Sequence, residues 1–197
     1  MSIRALSIAA TGMLAQQTNV EVIPNNVPNM NPTAFKAQRA EFQDLLYENI
    51  ERPGAATADT GSVLPSGIQI GVGVRTAATY RLTSQGNLAT TGNPYDLAIN
   101  GKGYFHVMMP DSTDAYTRAG AFSLSPDGQI VTAKGYVVVP GIAIPQDALS
   151  VTINAVGQVQ ALVAGSSVPQ ILGQLELARF PNDSGLQAIR DNLFTES

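Results

Sequence analysis

The chain has 197 residues, no cysteine, a formal net charge of -4 and only 13% charged residues. The missing cysteines exclude disulfides, thiolate metal sites and a cysteine nucleophile, and the acidic balance argues against phosphate binding by bulk charge, so no nucleic-acid partner is expected. With 44% hydrophobic residues the chain can bury at least one sizeable core. It holds no apolar run long enough to span a bilayer; a surface this poor in charge repels its own copies weakly, which suits self-association, but on composition alone an ordinary neutral surface is the first reading.

The N-terminal segment reads as a helix. Ile3, Leu6, Ala10, Met13, Gln17, Val20, Pro24 and Val27 alternate steps of three and four residues, which is an a/d heptad seam. Thr11, Gly12, Gln16 and Gln17 interrupt what would otherwise resemble the apolar stretch of a signal peptide, so the segment is expected to be retained. A helix with one thin apolar stripe is marginal in water by itself. Residues 53 to 197 hold no second sustained heptad. The stripe therefore asks for a partner on another chain or on a segment outside these residues; the alternative is packing on the chain's own β-domain. Pro24, Pro28 and Pro32 follow at four-residue intervals. Proline deletes a helical hydrogen bond and pushes the residue before it out of helical geometry, so the helix is expected to end at or before Ile23, or to kink there.

Residues 33 to 52 are ambiguous. Their propensity favours helix, and Phe35, Phe42, Leu45, Leu46 and Ile50 fit a helical stripe in part. Residues 53 to 67, "PGAATADTGSVLPSG", read as a loop or extended arm, with Pro53, Gly54, Leu64, Pro65 and Gly67 as its punctuation. From residue 67 onward the period changes to two. "GIQIGVGVRT" alternates, "DLAINGKGYFHVMM" reads as a hairpin about Asn100-Gly101, Pro126-Asp127-Gly128 marks a second hairpin turn, and the chain turns again near Gly157. The expected fold is mainly β with an N-terminal α-helix, in an elongated architecture of a helical segment (1–30), a linker and extended arm (31–67) and a β-rich domain (68–197).

Nothing in the pattern selects a catalytic, cofactor or metal site. His106 is the sole histidine and has no second imidazole or thiolate to join it on a metal; it reads as a structural or solvated strand residue. No G-x-S-x-G elbow is present, and "IGVGVR" and "NGKGYF" lack the third glycine and the following helix of a phosphate loop. The aspartates stand mostly in turn contexts, and the absence of tryptophan disfavours a sugar-binding platform.

One stretch is more specific. "AATGMLAQQTNVEVIPNNVPNMNPTAFKAQRAEFQDLL" resembles the N-terminal signature of bacterial flagellar axial proteins, the rod, hook and hook-associated subunits, with Asn25, Asn26, Asn29, Phe35 and Lys36 matching the pattern. "LPSGIQIGVGVR", "QGNLATTGNPYDLAINGKGYFHV", "YTRAGAFSLSPDGQIVTAKGYVV" and "GQLELARFPNDSGLQAIRDNLFTES" are similar to the distal rod branch of that family, as is the 53–67 arm. The resemblance implies a non-enzymatic structural subunit without cofactors that polymerises with itself into the hollow drive shaft between motor and hook. It implies proximal rod subunits, hook subunits, the surrounding outer rings and the flagellar export apparatus as partners. It also implies a place in the basal body, where the rod crosses the periplasm, and export without a cleaved signal peptide. In that family the N-terminal helix pairs with a C-terminal heptad helix in the inner wall of the tube, which would supply the missing partner of the seam. A proximal rod or hook-type subunit is the alternative within the family; a peptidoglycan-acting enzyme or a sugar-binding β-module is the alternative outside it. The chain departs from the pattern at Pro24, Pro28 and Pro32, and at Ala34, where glycine is usual and a positive φ would strain any other residue.

Overall fold

A computed structural model describes residues 2–51 and 66–196. The fold is mainly β with one N-terminal helix, as expected, and its backbone contacts group into two units: the described residues of 1–30 and 37–82, and those of 31–36 and 83–197. These units cut across the segments 1–30, 31–67 and 68–197, because strand pairing folds residues 74–81 back onto residues 38–44, beside the helix.

The first unit holds α1 (Ser2–Asn26), β1 (Gln38–Asp44), β2 (Tyr47–Glu51), β3 (Ile68–Gly71) and β4 (Val74–Arg81). β1 pairs with β4 and β2 with β3, both antiparallel, and Leu45 N donates to the Gly73 carbonyl between the two ladders at 2.9 Å. The ambiguity of residues 33–52 is resolved towards strand: residues 38–44 and 47–51 form two strands. Their helix propensity is overridden by the ladder to residues 68–81, which supplies tertiary hydrogen bonds and puts Ala40 in a buried position.

The helix departs from expectation in part: it does not stop at Ile23, yet it ends short of Asn29. It runs through Pro24 and ends at Asn26, three residues past Ile23. Interior proline costs about 3 kcal/mol. Here Pro24 lies on the exposed side, beside an exposed Val20 whose carbonyl is the one that loses its helical donor. Two compensations stand at the helix end. Val27 N still donates to Ile23 O at 3.0 Å, and the Asn26 side chain makes two hydrogen bonds to the Gln38 backbone.

The second unit is a β-body with its own core. It holds β5 (Tyr104–Met108), β6 (Asp114–Thr117), β7 (Phe122–Leu124), β8 (Ile130–Thr132), β9 (Val137–Val138), β10 (Ala148–Ile153), β11 (Gln158–Val163), β12 (Gln170–Gln174), β13 (Leu177–Ala178), β14 (Gln187–Ala188) and β15 (Leu193–Thr195). One sheet runs β14-β15-β6-β5-β9-β8-β7, and β13 shares the β9 side of β5; a second sheet runs β10-β11-β12. Phe105, Val107, Phe122, Ile130, Val138, Ile142, Val159 and Leu193 form the main core, with Phe105 and Phe122 edge to face at 5.0 Å.

The alternation of β5 explains both faces. Phe105 and Val107 enter this core, while Tyr104 joins Leu186 and Phe194 in a smaller cluster. His106 stacks on Tyr116 at 5.3 Å, and its Nε2 lies 2.8 Å from Asp114 Oδ1. Its environment is that of a half-buried strand residue, and no group of three or more metal-ligating side chains occurs among the described residues.

Two of the turns read from sequence are present. Gly128 N donates to Ser125 O between β7 and β8, and Gly157 N to Asn154 O between β10 and β11. The third, about Asn100-Gly101, does not close a hairpin. Residues 97–100 do not pair with β5, which takes β6 as its neighbour. The backbone of Gly101, at φ 103°, is held instead by side chains: its N–H donates to Gln85 Oε1 at 3.3 Å, and its carbonyl accepts from Arg118 at 2.6 Å.

Candidate assembly surface

α1 carries two stripes. Ile8, Thr11, Ala15, Thr18, Val22 and Asn26 form a buried to half-buried stripe, with Arg4, Ala10 and Gly12 also half-buried, and α1 packs on β1 and β4. At about 100° per residue this stripe and the heptad seam stand roughly 150° apart around the helix. Small residues fit the buried stripe because the helix lies close to the strands. Ala15 and Ala40 are both buried, and Thr11 Oγ1, which donates to Ile8 O, also accepts from Val74 N at 3.3 Å. Gly73, at φ 126°, faces Thr11 so closely that a Cβ would not fit. Arg4 pairs with Glu48 at 2.6 Å across half-exposed side chains, a contact worth under about 1 kcal/mol.

The heptad seam faces away from those strands. Ile3 is 83% exposed, Leu6 69%, Met13 68% and Val20 59%; Gln17 is exposed and Ala10 half-buried. The helix therefore rests on its own strands through one face and leaves the seam uncovered among the described residues. Leu46, Tyr47, Ile50, Ile68 and Ile70 add exposed apolar surface on β2, β3 and the link before β2, a patch the sequence reading did not single out. Its signal was available in the alternation Ile68-Ile70, which marks one face of a strand with nothing in the pattern to cover it.

The signature residues occupy the passage from helix to β-structure. Asn26 Nδ2 donates to Gln38 O and its Oδ1 accepts from Gln38 N, both at 2.8 Å, so one side-chain amide pairs with β1 as a neighbouring strand would. Asn29 Nδ2 donates to the Asn25 carbonyl at 2.7 Å, covering one of the last helical acceptors. Asn25 itself is exposed. In the second unit Phe35 N donates to Pro32 O, and Ala34 sits at φ 62°. The left-handed conformation costs a non-glycine residue about 1–2 kcal/mol, which is the strain expected where glycine is usual.

Half-buried Phe35 and Lys36 line a cleft of about 460 Å³ together with Gln85, Leu88, Asp96 and Arg118. Lys36 Nζ donates to Ser84 O at 2.6 Å; burial, and then the charge of Arg118, lower its pKa below the usual lysine value. Of the arm positions, Pro53, Gly54, Leu64 and Pro65 lie outside the described residues, while Gly67 stands just before β3.

The surface combines an uncovered apolar helix seam with an asparagine-rich turn into strands, the form of an assembly surface rather than of a pocket for chemistry. Residues 98–161 match the family model described as the flagellar hook protein FlgE/F/G D1 domain. The chain is 54% identical over 194 residues to the flagellar basal-body rod protein FlgG of Caulobacter vibrioides, covering 98% of this chain and 74% of that protein. It is 47% identical to the protein of the same name from Agrobacterium fabrum, with the same coverage, and 43% identical to that of Buchnera aphidicola from Acyrthosiphon pisum, over 99% of this chain and 75% of the relative. The chain belongs to the FlgG family of flagellar basal-body rod proteins. No helix among the described residues is long and apolar enough to cross a membrane.

Proposed function

We propose that this chain is a load-bearing subunit of the distal flagellar rod that polymerises with itself through the α1 seam, and that it works mechanically and not by catalysis. The observation that carries the reading is the orientation of α1: its small-residue stripe is satisfied internally, while Ile3, Leu6, Met13 and Val20 stand exposed on the far side. Burying each large apolar side chain against a neighbouring helix contributes about 1.5–3 kcal/mol, so a few of them outweigh the weak repulsion of a sparsely charged surface. The position is the rod in the basal body, reached through the flagellar export apparatus with the N-terminal segment retained. Proximal rod subunits, hook subunits and the surrounding rings are its neighbours.

Leu6→Asp tests the seam. The variant chain is expected to keep the unfolding profile of the wild type and to lose self-association in sedimentation velocity, because a carboxylate in an apolar helix interface is left desolvated and unpaired. Self-association at wild-type concentrations would remove the seam from the assembly surface. The arm at 53–67, which joins the ends of β2 and β3, is proposed to bridge adjacent subunits and to stiffen the shaft. Polymers lacking residues 53–67 should be more flexible or altered in curvature by electron microscopy, and equal straightness and stiffness with and without the arm would end that part of the reading.

A further inference from the structure

The cleft beside the signature turn holds two cations that no carboxylate of the second unit meets. Lys36 donates to the Ser84 carbonyl, and Arg118 Nη2 donates to the Gly101 carbonyl and to Gln85 Oε1 at 3.2 Å. All three acceptors are neutral, and neither cation forms an ion pair among the described residues. Asp96, the acid on the cleft wall, accepts from Asn93 Nδ2 at 2.8 Å instead. Two positive charges brought together in a half-buried site with only neutral partners attract an anion, above all a carboxylate, which can take hydrogen bonds from both ammonium and guanidinium.

The wall of the cleft adds a shape preference. Residues 85–92 form no helix or strand and are exposed throughout, and none of their backbone groups is hydrogen-bonded to another backbone group among the described residues. An uncovered backbone of this kind is a template for adding an extended chain, with main-chain hydrogen bonds for affinity and side-chain pockets for specificity. Leu88, 54% exposed, offers an apolar contact at the rim.

We infer that this cleft is a docking site for an extended, carboxylate-bearing segment of a second copy of the chain. The choice of occupant rests on the rod-subunit reading and on charge. The chain carries 15 carboxylate side chains against 11 lysines and arginines. Asp127, Asp147 and Glu176 stand exposed in turns or loops of the second unit, and their carboxylates have no hydrogen-bonded or ion-paired partner among the described residues. A lattice of such subunits has carboxylates to spare, and this cleft has cations lacking them. The contact would add a second link between copies, on the β-body, independent of the helix seam.

The test uses the full chain and sedimentation velocity over a concentration series, with Lys36→Gln, Lys36→Glu and Lys36→Arg beside Leu6→Asp. Loss of the Lys36 charge is expected to raise the concentration needed for association about tenfold, and charge reversal by more. Lys36→Arg should associate as the wild type does. Unfolding midpoints should stay unchanged, because Lys36 bonds only one neutral carbonyl; if Lys36→Gln unfolds early, Lys36→Arg against Lys36→Glu remains the deciding pair. Succinate at matched ionic strength should weaken association of the wild type relative to chloride and leave Lys36→Gln indifferent. Equal behaviour of the wild type in succinate and chloride overturns the carboxylate assignment. Association of Lys36→Glu at wild-type concentrations, with Leu6→Asp monomeric, overturns the cleft and leaves the seam standing. Loss in Lys36→Glu with Leu6→Asp unaffected does the reverse.

Discussion

The two units of this chain differ in whether they bury large apolar residues: the second does, and the first does not among the described residues. The β-body has a core of large ones, in which Ile130, Val107, Val138 and Val159 are essentially without solvent contact and Phe105 packs on Phe122, while Leu149, Val156, Val168 and Ile171 stand exposed outside it. In the unit built from α1 and β1–β4 the buried residues are Ala15 and Ala40, while Ile3, Leu6, Met13, Val20, Tyr47, Ile50 and Ile68 face outward. The first pattern is that of a domain stable by its own core. The second is that of a surface whose apolar area is stabilised when a neighbour covers it. The division between a self-sufficient body and an assembly-dependent stem fits a subunit whose body can fold before its lattice exists.

Truncation in the body tests the first half of that contrast and should give the largest effect on the isolated chain. Ile130→Ala removes methyl groups from a site 1% exposed, among Phe105, Phe122 and Ile144. The expected loss is about 2–5 kcal/mol, the usual range for a core isoleucine whose surroundings collapse only in part. Urea unfolding followed by tyrosine fluorescence measures it. A loss below about 1 kcal/mol would mean that the body, too, draws its stability from neighbours.

How far each unit could be read from sequence follows the same division. The body was legible where local chemistry decides. Pro126-Asp127-Gly128 and the turn at Gly157 form because glycine supplies a positive φ and the preceding Ser125 and Asn154 carbonyls accept locally. It misled at Asn100-Gly101, where two side chains distant in sequence, Gln85 and Arg118, capture the backbone that a hairpin would have paired. The stem was less legible. Residues 38–51 have helix propensity and became strands because their partner, residues 68–81, lies across the arm. The seam positions were visible as a heptad, yet the stripe of Thr11, Ala15 and Thr18 that holds the helix to its own strands was not, since alanine and threonine carry little hydrophobic signal. The cleft was invisible for a related reason: Lys36 and Arg118 are far apart in sequence, and neither belongs to a motif of charged residues.

Asn26 supplies the narrower test of the stem. Its amide holds both backbone groups of Gln38, which joins the last turn of α1 to the first residue of β1 and compensates in part for the bond lost at Pro24. Asn26→Ala leaves the Gln38 N–H and carbonyl without that partner in a half-buried position, at a cost of about 1–3 kcal/mol. Because the hydrophobic clusters all belong to the second unit and the two units group separately, the loss should be local. Hydrogen exchange should quicken for amides of the last turns of α1 and the start of β1, while Val107, Val131 and Val159 keep their protection. Asn26→Asp keeps the acceptor for Gln38 N and loses the donor to its carbonyl, so it should fall between alanine and the wild type. Equal acceleration in stem and body would mean that the two units unfold as one, and the contrast between them would then describe burial and not stability.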